Sequence, residues 1–285
     1  MATMLLLRCN KKSDTMQNTK LSGIPETMLI PLWAKATETE QGGGLLCDKC
    51  AMQMKSQIDY NFSKFKKSTM SRVGCCVRGA LIDEETCNFI GDNPNAVVIQ
   101  LGAGLDARYQ RIGMPKVTCW YDLDLKQGIE FREQLLPHTD NNVYLAQSMF
   151  DYSWIDRVKS HDAPVLIIIE GVLMYFNAKD VQDFFMELCT RFERATVLMD
   201  ILAYVALKHA RHHETLKKID NCPEFKWSIL DSNEMEAWHP KLHLGAEYYM
   251  SDHDNGRFPL ILRGLYKIPY FYKRYNQRIV RMEIK

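Results

Sequence analysis

No charge of one sign dominates this 285-residue chain: 36 Lys and Arg face 35 Asp and Glu, a formal net charge of +1. A dedicated nucleic-acid binder carries a basic surplus, so no nucleic-acid partner is expected. Long apolar runs are missing too, since no stretch reaches the roughly 18 residues that suggest a membrane span, and no membrane partner is expected. Cysteine is present but unframed: the nine residues are an odd number and scattered. The short apolar run Met4–Leu7 is followed by Arg8 instead of being preceded by a basic segment, so it does not read as a secretory leader. Free thiols in a reducing, cytoplasmic compartment follow as the expectation. Cys47 and Cys50 form a CxxC, but the only other close pair, Cys75 and Cys76, is adjacent and lacks the second spacing of a zinc ribbon. No metal site is expected. Internal repeats and low-complexity blocks are absent as well.

What is present is 46% hydrophobic and 25% charged residues, the balance of a globular enzyme or binding protein. A chain of this length can bury one large core. Residues 8–20 are polar and unpatterned, so 1–20 read as a flexible tail and 21–285 as a single domain. Met28, Leu29, Leu32, Trp33 and Ala36 recur at helical spacing, Met52–Ile58 reads as a second helix, and Arg78–Ile90 as a third stopped by Asn93-Pro94-Asn95. Thereafter short apolar runs alternate with segments of helical length. Strands are expected at Val97–Leu101, Val117–Leu123, Val143–Ala146, Val165–Ile169 and Thr196–Met199, with Arg278–Ile284 closing the sheet. Helices are expected at Lys126–Leu136 and Asp180–Phe192. This alternation argues for an α/β, doubly wound sheet.

In such a sheet, ligands bind beyond the carboxyl ends of the strands. There the chain places Gly102-Ala103-Gly104-Leu105-Asp106-Ala107-Arg108, then Asp122-Leu123-Asp124, Ser148-Met149-Phe150-Asp151, Glu170-Gly171 and Asp200. Gly102 and Gly104 permit a tight turn close to a ligand. A carboxylate ending the second strand can accept both hydroxyls of a ribose, and Asp122 is the first choice. Amides opening the next helix favour an anionic end of the ligand, and Asp106 can cap that helix. The pattern Gly102-x-Gly104-x-x-Ala107 matches the dinucleotide fingerprint, which leaves an NAD(P)-dependent oxidoreductase in play. The added Glu170 suits a cation better than a pyrophosphate, and this favours the sulfonium cofactor S-adenosylmethionine. The acids gather at the strand ends, with the bases dispersed elsewhere.

Three spaced segments, VVIQLGAGLDARYQRI (97–112), WYDLDL (120–125) and LIIIEGVLMYF (166–176), resemble the leucine carboxyl methyltransferase family. IPETMLIPLWAKATETE, LLCDKCA and CCVRGALID resemble its amino-terminal helices and arginine-bearing motif, so the resemblance covers about residues 24–200. Its texture is closer to the microbial small-molecule and polyketide O-methyltransferase branch than to the phosphatase-modifying enzymes. The resemblance implies a Rossmann-like class I methyltransferase sheet, a helical lid over 21–92, a core over 93–285, and an acceptor-pocket insertion at about 201–250. It implies that Arg78 pairs with the methionine carboxylate of S-adenosyl-L-methionine, that Gly102 and Gly104 form the cofactor turn, and that Asp124 takes the ribose in place of Asp122. Glu170 becomes the acid of the family's EG motif. Ser148 and Met149 stand where the family places Asp-Leu beside adenine, a departure for which Asp151 can compensate. Ala107 replaces the commoner Thr, and the family's amino-terminal lysine has no secure counterpart, Lys35 being only nearby.

The expected reaction transfers a methyl group to a carboxylate or hydroxyl of a small molecule, with methylation of a protein C-terminus or non-catalytic cofactor binding as alternatives. An acceptor carboxylate needs no base, whereas a hydroxyl benefits from one. His209, His212, His213, His239 and His243 are available, but none is assigned as catalytic. Tyr204, Trp227, Trp238, Tyr248 and Tyr249 are candidates either for the pocket or for plain core. The segment Tyr266–Arg274 mixes bases and aromatics as some RNA binders do, but packing of a late element is the stronger reading.

Overall fold

Unbroken aliphatic runs need cover on both faces, and they form the centre of the sheet. β1 (Val97–Leu101) and β4 (Val165–Ile169) are buried at every residue. β2 (Cys119–Asp124), β3 (Asn142–Ala146) and β5 (Ala195–Ile201) lie parallel to them, and β6 (Leu242–Tyr249) and β7 (Arg278–Ile284) complete the sheet. The strand order is β3-β2-β1-β4-β5-β7-β6, with β7 antiparallel to both β5 and β6. The computed structural model describes residues 26–42, 44–207, 209, 214–219 and 223–285. The expected flexible tail at 1–20 lies outside these residues.

The helices are α1 (Leu29–Glu40), α2 (Lys49–Gln57), α3 (Thr69–Asp92), α4 (Arg108–Arg111), α5 (Lys126–Leu135), α6 (Ser153–Lys159), α7 (Ala178–Arg191), α8 (Met250–His253), α9 (Leu260–Leu265) and α10 (Pro269–Tyr275). Side chains alternate across each strand. Val97, Ile99, Ile167 and Val197 meet Trp154 of α6 and Phe184 and Leu188 of α7 on one face. On the other face Val98, Leu166, Ile168 and Leu198 meet Val73, Val77, Leu81 and Ile82 of α3. Each fully buried aliphatic side chain of these layers contributes about 1.5–3 kcal/mol. α3 thus covers the sheet as well as packing against α1.

The structure departs from the sequence reading in three places. α3 begins at Thr69, well before Arg78, because its first turns bury small residues such as Ser71 and Cys76 that carry no strong apolar signal. β6 was not expected. It is an edge strand paired with β7 alone, it mixes His243, Gly245 and Glu247 among its apolar residues, and its register shifts between Leu244 and Ala246. The segment expected to serve as a pocket insertion therefore ends inside the sheet. Finally, α9 and α10 contain no fully buried residue, so Tyr266–Arg274 packs only in part, through Tyr266 on the α3 layer and Tyr272 on Tyr249.

Candidate active site

Past β1 the chain turns through two positive-φ glycines, Gly102 at +69° and Gly104 at +50°. The Gly102 and Ala103 amides both donate to the Leu123 carbonyl, at 2.8 and 3.0 Å. The Gly104 amide donates to Asp124 Oδ2 at 2.7 Å, and the Leu125 amide to Asp124 Oδ1 at 2.7 Å. These glycine-turn amides are therefore committed to the end of β2 and are not offered to a phosphate. A Cβ at Gly102 would stand 2.4 Å from Val172 Cγ2, which accounts for the residue type. Burial raises the Asp124 pKa above the ordinary carboxylate value, although the two amides oppose it.

Asp122, two residues earlier, shares a face of β2 with Asp124 by strand alternation, but it sits one step back from the strand end and is buried. It is 1% exposed, absent from the cavity lining, and accepts hydrogen bonds from Trp120 Nε1, Asn142 Nδ2 and Arg132 Nη2 at 3.0, 2.9 and 2.7 Å. Arg132 in turn donates to the carbonyls of Gly104 and Asp106 at 3.0 and 2.8 Å. Asp122 therefore braces the glycine turn from below and does not reach the ligand space.

The bases are not dispersed. Lys35 of α1, Arg78 of α3, and Arg108 and Arg111 of α4 converge, all buried, on Asp48, Asp83, Asp106, Glu170 and Asp200. Arg78 donates from Nε to Glu170 Oε1 at 3.0 Å and from Nη1 to Asp200 Oδ2 at 3.1 Å. Glu170 also faces Lys35 Nζ at 3.6 Å and pairs with Arg108 Nη2. Burial alone would raise the Glu170 pKa, but Lys35, Arg78 and Arg108 outweigh it and hold the carboxyl at about 2. Glu170 is consequently an acid already matched by protein cations, not one held open for a cationic ligand. Asp106 does not cap α4: it binds Lys35 at 2.9 Å, Arg111 at 2.6 Å and Arg108 at 3.0 Å, and it accepts from Gln100 at 3.0 Å. Burial raises its pKa less than the three cations lower it.

Above this network opens a cavity of about 870 Å³, within the range of about 300–1,000 Å³ usual for small-molecule sites. Arg78, Gly102, Gly104, Asp124, Ser148, Met149 and Glu170 all line it, as do Lys35 and Asp106. Asp151 does not; its side chain accepts from the Ser153 amide at the start of α6. The far end is formed by Met174, Tyr175, Leu202, Leu216 and Phe225, with Leu262, Tyr275 and Gln277 from the C-terminal segment. None of the five proposed aromatics lines it. Trp227 is core, Tyr204 is exposed, Trp238 packs on Phe185, Tyr248 joins the α3 layer and Tyr249 packs on Tyr272.

His209, His239 and His243 lie away from the lining, and His212 and His213 lie outside the described residues. Glu214, which the sequence reading passed over, lines the cavity and accepts from the Met70 and Ser71 amides at 3.0 and 3.2 Å. Lys35 stands between the apolar positions 32 and 36 of α1, and Asp106 and Arg108 sit inside the glycine motif itself. Among the described residues no group of three or more His, Cys, Asp or Glu is arranged to hold a metal ion.

A mixed sheet in this strand order, a glycine turn after β1, an acid at the tip of β2 and a cavity across the strand ends define a Rossmann-like class I methyltransferase. The model of the leucine carboxyl methyltransferase family matches residues 33–189, more than half of the chain, and the chain belongs to that family. It is an S-adenosyl-L-methionine-dependent methyltransferase. The tetracenomycin polyketide synthesis O-methyltransferase TcmP of Streptomyces glaucescens is 28% identical over 82% of this chain and 85% of its own length. The S-adenosyl-L-methionine-dependent methyltransferase dpfgK of Gibberella zeae is 25% identical over 83% of this chain and 85% of its own. The mycolic acid cyclopropane synthase CmaA1 shares the fold, with a TM-score of 0.50 at 14% identity over 90% of this chain and 97% of that one.

Proposed function

We propose that the protein methylates an oxygen, carboxylate or hydroxyl, of a small and largely apolar molecule. The observation that carries this reading is a single cavity joining the charged floor at Arg78 and Asp124 to an apolar end at Met174, Leu202, Leu216 and Phe225. The residues present suit the cofactor. Asp124 is half-buried, fixed by two amides and open to the cavity, and it takes the ribose hydroxyls. Arg78 spends Nε and Nη1 on Glu170 and Asp200, and its Nη2, not used in these pairs, takes the methionine carboxylate beside Lys35. Gly102 and Gly104 keep the turn close, and Ser148 and Met149 border the adenine. The committed glycine-turn amides do not favour a dinucleotide pyrophosphate.

When bound, the cofactor supplies an electrophilic methyl group on its sulfonium. The chain contributes orientation, which is worth about 7–11 kcal/mol where reacting atoms are well aligned. The walls at Met174 and Phe225 hold an apolar acceptor and exclude water. The Cys75 thiol on the cavity wall is pushed up by burial and stays protonated near neutrality. A polyketide-like acceptor is consistent with this lining, and a cytoplasmic location suits the free thiols of Cys47, Cys50, Cys75, Cys76, Cys87, Cys119 and Cys189.

Calorimetric titration with S-adenosylhomocysteine and with NADH tests the site, and binding of NADH alone overturns it. A labelled-methyl transfer screen across aromatic carboxylic acids, phenols and a leucine-terminated peptide tests the acceptor. Turnover of the peptide alone would replace the small-molecule reading.

A further inference from the structure

Leu260 and Ile261 of α9 are 77% and 78% exposed, and Ile268 and Tyr270 at the start of α10 are 48% and 59% exposed. Single exposed aliphatics are ordinary, but a concentration of them on two consecutive helices marks an interaction surface. The same segment is strongly basic. Arg257, Arg263, Lys267, Lys273 and Arg274 fall in it, and no Asp or Glu occurs between Asp254 and Glu283. The near-zero charge of the whole chain conceals this asymmetry. Leu262 of α9 and Tyr275 of α10 line the cavity, so the exposed surface borders the candidate active site. Arg257 pairs with the buried Glu38 of α1 at 3.0 Å and ties the segment to the helices of the cavity wall.

We propose that α9 and α10 form a peripheral docking surface for an anionic phospholipid bilayer. Leu260, Ile261 and Ile268 enter the boundary between headgroups and acyl chains, and Arg263, Lys267, Lys273 and Arg274 face the lipid phosphates. Exposed aliphatics, tyrosines and bases together are the composition of an interfacial segment. Single-stranded RNA would use bases and open ring faces but not exposed aliphatics. Here the rings already pack on one another, Phe271 on Tyr270 and on Tyr275 at 5.3 and 5.6 Å, and Arg274 lies 4.0 Å over Tyr270. No helix among the described residues is long and apolar enough to cross a membrane, so the contact is with the surface. The proposal departs from the expectation of no membrane partner, and it does not depend on the identity of the methyl acceptor.

The test is co-sedimentation of the full chain with phosphatidylcholine vesicles, with and without phosphatidylglycerol. Binding to the anionic vesicles is expected to be about tenfold or more tighter and to weaken with salt. Leu260→Asp with Ile261→Asp should abolish pelleting while the melting temperature and S-adenosylhomocysteine affinity stay unchanged, since both side chains are exposed. Failure of the unaltered protein to pellet, or pelleting unaffected by the double variant, overturns the proposal. So does retention of a single-stranded RNA oligonucleotide, or a doubling of mass in light scattering, that the double variant abolishes, because either assigns the surface to a different occupant.

Discussion

The Arg78 guanidinium and the Glu170 carboxylate, 92 residues apart in the chain, are joined by a 3.0 Å hydrogen bond from Nε to Oε1 on the floor of the cavity. The pair makes Glu170 a positioning partner for the cation, and Asp200 completes the grip from the end of β5.

Replacing the guanidinium while keeping its charge is the direct test of the floor. Arg78→Lys preserves charge but loses the fork that reaches both acids. Cofactor affinity is expected to fall about 10- to 150-fold, the loss of one charge-assisted hydrogen bond. Titration with S-adenosylhomocysteine reads this out, and unchanged affinity would remove Arg78 from the carboxylate site.

Glu170→Gln should act on stability first. The change leaves Lys35, Arg78 and Arg108 short of an anion in a buried place, at a cost of about 3–5 kcal/mol. The Glu170 pKa is lowered from 4.5 to about 2, so its contribution is fully present above pH 4.5 and is lost as pH falls toward 2. Acid unfolding followed by circular dichroism should show that loss in the unaltered protein and a flatter profile in the variant.

Asp122 and Asp124 should separate cleanly. Asp122→Asn breaks the ion pair with Arg132 and should destabilise the protein by about 3–5 kcal/mol in a denaturant titration. Asp124→Asn should change the melting temperature little but weaken cofactor binding about 10- to 150-fold. Because the Asp124 pKa is raised by burial, cofactor affinity should fall on acidification before the usual carboxylate range is reached. The Asn variant should lack that fall.

Gly102→Ala adds a methyl that meets Val172 and also strains a backbone at φ +69°. The strain alone costs about 1–2 kcal/mol. Val172→Ala in the same chain should recover the steric part and leave the conformational part. Full rescue, measured as melting temperature, would show that φ is not limiting.

Much of the architecture was legible because burial on both faces demands an unmistakable composition. β1, β4 and β7 were expected at the bounds where they are found, β1 and β4 through unbroken aliphatic runs and β7 through Ile279, Val280, Met282 and Ile284. β6 escaped because an edge strand buries little and tolerates His243, Gly245 and Glu247. The glycine turn was legible through the constraint on backbone conformation at Gly102. The choice between Asp122 and Asp124 was not: alternation puts both on one face, and only the packing of Arg132 of α5 shows that Asp122 is paired inside while Asp124 lines the cavity.

The sequence by itself determined the parallel centre of the sheet, the glycine turn and a row of acids at the strand ends, because these depend on local periodicity and residue type. Tertiary structure alone decided which charges neutralise one another. Lys35, Arg78, Arg108 and Arg111 come from α1, α3 and α4, and packing brings them onto Asp106, Glu170 and Asp200. Ion pairing in a buried site depends on distances of a few ångströms between segments far apart in the chain, and a charge count of +1 does not carry that information. The same count hid the basic, apolar surface of α9 and α10, whose exposure only the folded chain reveals.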